Sequence, residues 1–131
     1  MMDICYIEME DRGVLGVAGG DAAEFLQGLV SNDMVPTGEG RAVYAALLTP
    51  QGKYLHDFMI VSEAGDFLLD CESARLMDLG QRLGAYRLRA DVELLDATED
   101  WRVMAVLGEG AAAQFGLSEA GPGASAPLEG G

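Results

Sequence analysis

The chain has 131 residues, of which 50% are hydrophobic, and this is enough for one domain with a buried core. Its 22 acidic and 8 basic residues give a formal net charge of −14. Such a charge repels phosphate backbones, so we expect no direct binding of nucleic acid and read the charge as a source of solubility.

Cysteine and histidine are too few for a disulfide framework or a zinc site. Cys5 and Cys71 are the two cysteines, His56 is the single histidine, and no C-x-x-C motif occurs. We therefore expect free thiols and no metal. The first residues lack a basic segment followed by a long apolar run, and no apolar stretch approaches the roughly 18 residues of a membrane span. The sequence predicts a cytoplasmic protein that does not contact membranes.

The first third of the chain predicts a hairpin and a helix. Two short extended runs within residues 4–18 flank the turn-forming residues 10–13, which is typical of a β-hairpin. Asp21 and Glu24 then have the spacing of a capping box. Apolar residues at helical intervals predict a helix that runs to about Val30.

The middle of the chain predicts a meander of strands and a second helix. Pro- and Gly-containing turns separate three strand-like runs, over residues 41–48, 53–61 and 66–71. Ser73 is a possible N-cap for a helix with one apolar stripe, formed by Leu76, Leu79, Leu83 and Tyr86. Two more strands are predicted, over residues 92–95 and 101–107.

The end of the chain is rich in Gly, Ala, Pro and Ser and lacks apolar periodicity, which predicts a linker or tail over residues 117–131. A short helix is expected to begin at residues 111–115. The order of elements, β-β-α-β-β-β-α-β-β, indicates an α+β fold with two helices and a mainly antiparallel sheet.

One predicted hairpin brings a carboxylate and a phenol together. If residues 49–52 form a four-residue turn, Tyr44 lies directly opposite Asp57, on the same face of the sheet. Asp57 shares that face with apolar neighbours, and burial there would raise its pKa unless hydrogen bonds or a cation offset the cost. Asp57 then either caps a backbone group or pairs with an arginine, or it faces a ligand.

The other candidate residues each have a structural and a functional interpretation. His56 falls on the opposite face with Tyr54 and two further apolar side chains, which favours packing over a functional role. Asn32 and Asp33 follow the first helix and either form a turn or contact a ligand. Glycines 19 and 20 precede a helix, but they form no recognised phosphate-binding motif.

Three blocks carry a family resemblance: F-L-Q-G-L-V-S-N-D at residues 25–33, Y-A-A-L-L-T-P-Q-G-K at 44–53 and Y-R-L-R-A-D-V at 86–92. In these blocks the chain resembles the YgfZ-type folate-binding proteins of bacteria, which assist iron-sulfur cluster enzymes and are relatives of the glycine-cleavage aminomethyltransferase. The resemblance extends to about Gly108. It implies the first subdomain of a fold in which partly interlocked α+β subdomains surround a folate-binding channel.

The resemblance also assigns roles to residues. The aminomethyltransferase has an Asp near the reactive part of the folate and a Tyr thirteen residues earlier, and these positions match Asp57 and Tyr44. The resemblance thus implies tetrahydrofolate as cofactor, with Asp57 as the candidate catalytic residue. The transferase has an acidic residue just before that Asp and a Tyr four positions after it, where this chain has His56 and Val61. These departures favour the YgfZ-type branch.

The family's K-G-C-Y-x-G-Q-E-like block belongs to the second half of a protein about twice this length, and this chain has no counterpart. We therefore expect a front portion that is inactive alone, with a first subdomain over residues 1–98 and the start of a second over 99–116. Three functions stay open: a tetrahydrofolate-binding protein that works with iron-sulfur enzymes or assembly proteins, a folate-dependent aminomethyltransferase, and an interaction module that has lost its ligand.

Overall fold

The computed structural model describes residues 5–31, 42–108, 110 and 111, and in this part the elements follow the predicted order. The strands are β1 (Cys5–Glu8), β2 (Arg12–Ala18), β3 (Val43–Leu48), β4 (Tyr54–Glu63), β5 (Asp66–Glu72), β6 (Glu93–Asp96) and β7 (Met104–Leu107). The helices are α1 (Ala22–Leu29) and α2 (Leu76–Ala85). No helix in this part of the chain is long and apolar enough to cross a membrane.

All strand pairings are antiparallel in the part of the chain that the structure describes. Five strands form the main sheet in the order β3-β4-β5-β2-β6, while β1 and β7 form a separate two-stranded ribbon. The predicted α+β fold with two helices and a mainly antiparallel sheet is therefore confirmed.

The core lies between one face of the main sheet and the two helices. Alternate residues of each strand point into it, among them Val17, Phe58, Ile60 and Leu69, which are almost fully buried. The leucines of the predicted α2 stripe, Leu76, Leu79 and Leu83, are buried in the same cluster. Tyr86 is 50% exposed because the helix ends one residue earlier, at Ala85.

The opposite face of the sheet is only partly covered. Val14 is buried there under the turn at Ala97 and Thr98, whose backbone N–H and hydroxyl groups bond to the Val14 peptide. Farther toward the β3 edge, Tyr44 and Met59 stay exposed. This open part of the face, formed by β3 and β4, is where the candidate site lies.

The predicted hairpin over residues 4–18 is wrong. β1 pairs with β7, as in Tyr6 opposite Val106, and β2 pairs with both β5 and β6. The reason is visible in β2, where five consecutive residues are buried. A strand buried on both faces lies inside a sheet, and both of its edges are then used by strands from later in the chain.

The predicted capping box at Asp21 does not form, because its side chain is used elsewhere. Asp21 Oδ2 accepts a hydrogen bond of 2.7 Å from the Asp91 N–H, and Asp91 Oδ2 accepts one of 3.0 Å from the Gly20 N–H. Gly19 has a φ of +115°, and a Cβ there would lie 2.2 Å from the Asp91 carbonyl oxygen. The glycine pair therefore allows the chain before α1 to dock on the loop before β6.

Several predictions lie outside the described residues. They are the ligand-contacting role of Asn32 and Asp33, most of the short helix over residues 111–115, and the linker or tail over residues 117–131.

The close approach at Gly19 predicts a specific loss of stability. Gly19→Ala should lower the free energy of unfolding by about 3 kcal/mol, since the new Cβ adds a clash to an unfavourable backbone conformation. Gly28→Ala is the matched control: it lies in α1 with no atom within 4 Å of its Cβ position, so it should stabilise by about 1 kcal/mol. Urea denaturation followed by circular dichroism measures both. A Gly19→Ala protein as stable as the wild type would contradict the described docking.

Candidate functional site

The site is built on the hairpin between β3 and β4. Gly52 N–H donates to the Thr49 carbonyl at 2.8 Å, and Thr49 N–H donates to the Lys53 carbonyl at 2.7 Å. Gly52 has a φ of +87°, a conformation that glycine adopts at little cost. The turn is thus a tight one at residues 49–52, as predicted, but it closes on a Thr49–Lys53 pair instead of a Leu48–Lys53 pair.

A β-bulge follows the turn and shifts the register again. Leu48 is paired with Tyr54 and Leu47 with His56, so Leu55 is the extra residue. As a result, Asp57 lies opposite Ala46 and not opposite Tyr44, and the predicted direct pairing is wrong by two residues. One residue of the shift arises at the turn and one at the bulge.

A shift of two residues keeps the same face of the sheet, because side chains alternate with a period of two. Tyr44 and Asp57 are therefore diagonal neighbours, and a tyrosine is long enough to span that distance. The Tyr44 hydroxyl donates a hydrogen bond of 2.5 Å to Asp57 Oδ2. The structure thus brings together the two residues that the hairpin prediction and the family resemblance had selected.

The bulge adds a third residue, which the sequence analysis had placed on the wrong face. Tyr54 was expected beside His56, but the extra residue Leu55 reverses the alternation and turns Tyr54 toward Asp57. Its hydroxyl donates a hydrogen bond of 2.9 Å to Asp57 Oδ1. No sequence pattern predicts a bulge at Leu55, and strict alternation along β4 therefore places Tyr54 on the wrong face.

The two hydroxyl groups determine the ionisation of the cluster. Hydrogen bonds from Tyr44 and then Tyr54 lower the pKa of Asp57 and outweigh the effect of its partial burial. The same bonds raise the pKa of both tyrosines. At neutral pH the cluster is therefore one carboxylate and two intact phenols. The charge of Arg12, which pairs with Asp70 at 2.8 Å, lowers the pKa of Asp57 further.

His56 has a separate, structural environment. It is 3% exposed in the core, and its Nε2 lies 2.6 Å from Asp78 Oδ2 on α2. Asp78 also accepts a hydrogen bond of 2.8 Å from Arg82, and the bonds from Arg82 and then His56 lower the pKa of Asp78. His56 therefore links β4 to α2 and does not meet Asp57, which lies on the other face.

Two other features of the described residues were candidates for a site, a helix-side cavity and the acidic, histidine and cysteine side chains. A cavity of about 190 Å³ lies on the helix side, between Leu55, Pro50 and Tyr86. It is smaller than most small-molecule sites, which run from about 300 Å³ upward. Within the described part of the chain, no group of three or more His, Cys, Asp or Glu side chains could hold a metal ion. Cys5 is exposed and Cys71 is buried, and both are free thiols.

The sheet and helices share the fold of an aminomethyltransferase. The crystal structure of glycine cleavage system aminomethyltransferase T from Bartonella henselae matches with a TM-score of 0.69 and 19% identity, over 84% of this chain and 30% of that chain. The sequence profile described as the GCVT N-terminal domain matches residues 3–117. The chain belongs to this family.

Curated relatives include iron-sulfur cluster assembly factors and an aminomethyltransferase. The human iron-sulfur cluster assembly factor IBA57, mitochondrial, is 37% identical over 116 residues, which cover 79% of this chain and 32% of the relative. The IBA57 homolog of Mycosarcoma maydis is 34% identical, over 71% of this chain and 26% of the relative. An aminomethyltransferase of Rubrobacter xylanophilus is 31% identical, over 77% of this chain and 27% of the relative. The chain therefore spans about a third of these relatives or less.

The two thiols should differ sharply in reactivity. Burial raises the pKa of Cys71 to about 11, and its Sγ donates to the Gly13 carbonyl, so little thiolate is present near pH 8. An aromatic disulfide reagent should therefore label one thiol, Cys5, in the native chain and both after denaturation. Cys5→Ser should abolish the native reaction. Two fast-reacting thiols in the native chain would contradict the burial of Cys71.

Proposed function

We propose that this chain forms one wall of a tetrahydrofolate site in a protein that assists the maturation of iron-sulfur enzymes. The observation that carries the proposal is the Tyr44–Asp57–Tyr54 cluster on the open face of the sheet, within a GCVT N-terminal domain. A carboxylate with two phenol rings beside it offers a hydrogen-bond acceptor and flat apolar surfaces, which suit a planar ligand that carries N–H groups.

The names of the relatives support the iron-sulfur part of the proposal. Curated relatives from human and Mycosarcoma maydis are iron-sulfur cluster assembly factors. We accordingly propose iron-sulfur enzymes or assembly proteins as partners. The cytoplasm is the proposed compartment, although those relatives are named mitochondrial.

Aminomethyl transfer is the second candidate function. It is supported by the Rubrobacter xylanophilus aminomethyltransferase and by an ionised Asp57, which would stabilise positive charge on a folate amine while a C–N bond breaks. His56 weighs against it, because the position where the transferases have an acidic residue is here a core residue that holds α2. A protein that kept this fold without a ligand is the third possibility, and the absence of any folate binding would favour it.

We further propose that residues 1–98 form a first subdomain, that residues 99–116 begin a second, and that residues 117–131 are a linker or tail. The support is that β7 takes no part in the five-stranded main sheet; its partner in the separate ribbon, β1, comes from the first subdomain. Large apolar side chains of this ribbon are exposed on both faces, including Tyr6, Ile7 and Met104.

Hydrogen exchange tests this division in the whole chain. A two-stranded ribbon without cover is marginally stable, so the amides of β1 and β7 should exchange much faster than those of β4 and β5. Equal protection in the ribbon and the main sheet would show a single cooperative unit and would contradict the division.

Folate binding is tested by NMR titration of the chain with tetrahydrofolate. Because this chain is expected to supply only part of the site, we expect weak binding, on the order of millimolar, with the largest shifts at Tyr44, Tyr54 and Asp57. Asp57→Asn should weaken binding about tenfold or more, since a hydrogen bond to a charged group is lost. It should change stability by less than about 1 kcal/mol, as Asp57 is only partly buried.

Asp66→Asn is the matched control, because Asp66 is an exposed carboxylate at the first position of β5. It removes the same charge and should leave binding unchanged. If Asp57→Asn instead destabilises the chain clearly while tetrahydrofolate binds as before, Asp57 is a structural residue and the proposed site is wrong.

A further inference from the structure

Tyr54 is not one of the two positions that the family resemblance selects. It reaches the site because the bulge at Leu55 turns its side chain to the face that carries Asp57. The ring is 55% exposed, so its position is not needed to fill the core. Its hydroxyl nevertheless reaches Asp57 Oδ1, while Tyr44 reaches Oδ2. Each oxygen of the Asp57 carboxylate therefore accepts one phenol O–H.

This pairing has a consequence for what the cluster can bind. A phenol has a single proton, and an ionised carboxylate has none. Both phenol protons of the cluster are donated to Asp57, so Asp57 and Tyr54 have only oxygen lone pairs to offer a ligand. These groups can accept hydrogen bonds from a ligand, but they have no hydrogen left to donate to one.

We infer that Tyr54 is a positioning and specificity-determining residue: together with Tyr44 it holds the Asp57 carboxylate in place and makes the cluster an acceptor-only site. Such a site selects a ligand that presents N–H groups, and most strongly a cationic or amidine-like one. It rejects a ligand that presents oxygen acceptors, such as a carboxylate or phosphate. This inference deepens the proposed function and rests on it for the identity of the natural ligand. The hydrogen bonds from Tyr44 and Tyr54 to Asp57 do not depend on folate.

The electrostatics of the cluster agree with this assignment. The hydrogen bonds from Tyr44 and then Tyr54 lower the pKa of Asp57, and the charge of Arg12, which is paired with Asp70, lowers it further, so the anionic form persists to more acidic pH. A carboxylate with a lowered pKa binds a cation until the pH falls through that pKa. Removal of the Tyr54 hydroxyl should therefore move the acid limb of cation binding to higher pH.

The first test measures the ionisation of Asp57 without any ligand. The side-chain carboxyl signal of Asp57 is followed by carbon-13 NMR as a function of pH in the whole chain. Tyr54→Phe should raise the pKa of Asp57 relative to the wild type, because one of its stabilising hydrogen bonds is lost. Tyr6→Phe, in the exposed ribbon, should leave it unchanged. An unchanged pKa of Asp57 in Tyr54→Phe would show that the Tyr54 hydroxyl does not hold the carboxylate and would overturn the inference.

The second test uses two planar probes of the same shape and opposite hydrogen-bonding character, benzamidinium and benzoate, at constant ionic strength. Benzamidinium should shift the Asp57, Tyr44 and Tyr54 signals in a saturable way, and benzoate should not. Tyr54→Phe should weaken benzamidinium binding about two- to tenfold near neutral pH, the usual effect of one hydrogen bond. Asp57→Asn should abolish the response, whereas Asp66→Asn, which removes the same charge, should preserve it.

The outcomes separate this inference from the proposed function. Benzamidinium binding at the cluster with no response to tetrahydrofolate would remove folate as the ligand and leave the acceptor-only site in place. Equal shifts with benzoate, or no benzamidinium response at Asp57, would overturn the ligand class proposed here.

Discussion

Helices α1 and α2 cover one face of the five-stranded sheet, and the strand period of two then sends every second side chain to the opposite face. On β4 this places Phe58 and Ile60 in the core and Asp57 outside it. The candidate site therefore needs no cavity of its own. It is the uncovered side of a strand whose other side is fixed by the core, so Asp57 is held by a rigid element even though it is accessible.

This arrangement also separates stability from the site. The buried leucines and Phe58 supply the apolar burial that stabilises the fold, and the hydrogen bonds between Gly20, Asp21 and Asp91 fasten α1 to the loop before β6. The tyrosine pair contributes little, since both rings are more than half exposed. Its hydrogen bonds instead set the charge and direction of one carboxylate, which is typical of a binding surface and not of a packing interaction.

Sequence patterns predicted the parts of the molecule that depend on local periodicity. The α2 stripe, the order of elements and the turn at Gly52 belong to this class. The pairing of β1 with β7 could not be predicted, because it joins residues about a hundred positions apart and no local pattern encodes such a contact. Asp21 has the spacing of a helix cap, but its carboxylate accepts a hydrogen bond from a distant backbone group, the Asp91 N–H. Long-range partners decided each of these cases.

The register of the β3–β4 hairpin shows the same limit on a smaller scale. Tyr44 and Asp57 were placed on one face correctly because two one-residue errors, at the turn and at Leu55, add up to a full strand period. Tyr54 lies between those two irregularities, so its predicted face was reversed. A bulge changes backbone pairing without a distinct residue signature, and the third member of the site could be found only from the structure.

The central claim, that the Tyr44–Asp57–Tyr54 cluster meets the ligand, is tested most directly with fluorine-labelled tyrosine. The chain has 4 tyrosines, so 3-fluorotyrosine gives one fluorine NMR signal for each, assignable by single Tyr→Phe variants. On titration with tetrahydrofolate the signals of Tyr44 and Tyr54 should move together, while those of Tyr6 in the ribbon and Tyr86 at the helix-side cavity stay in place. Movement of the Tyr86 or Tyr6 signal with Tyr44 and Tyr54 unchanged would contradict the account.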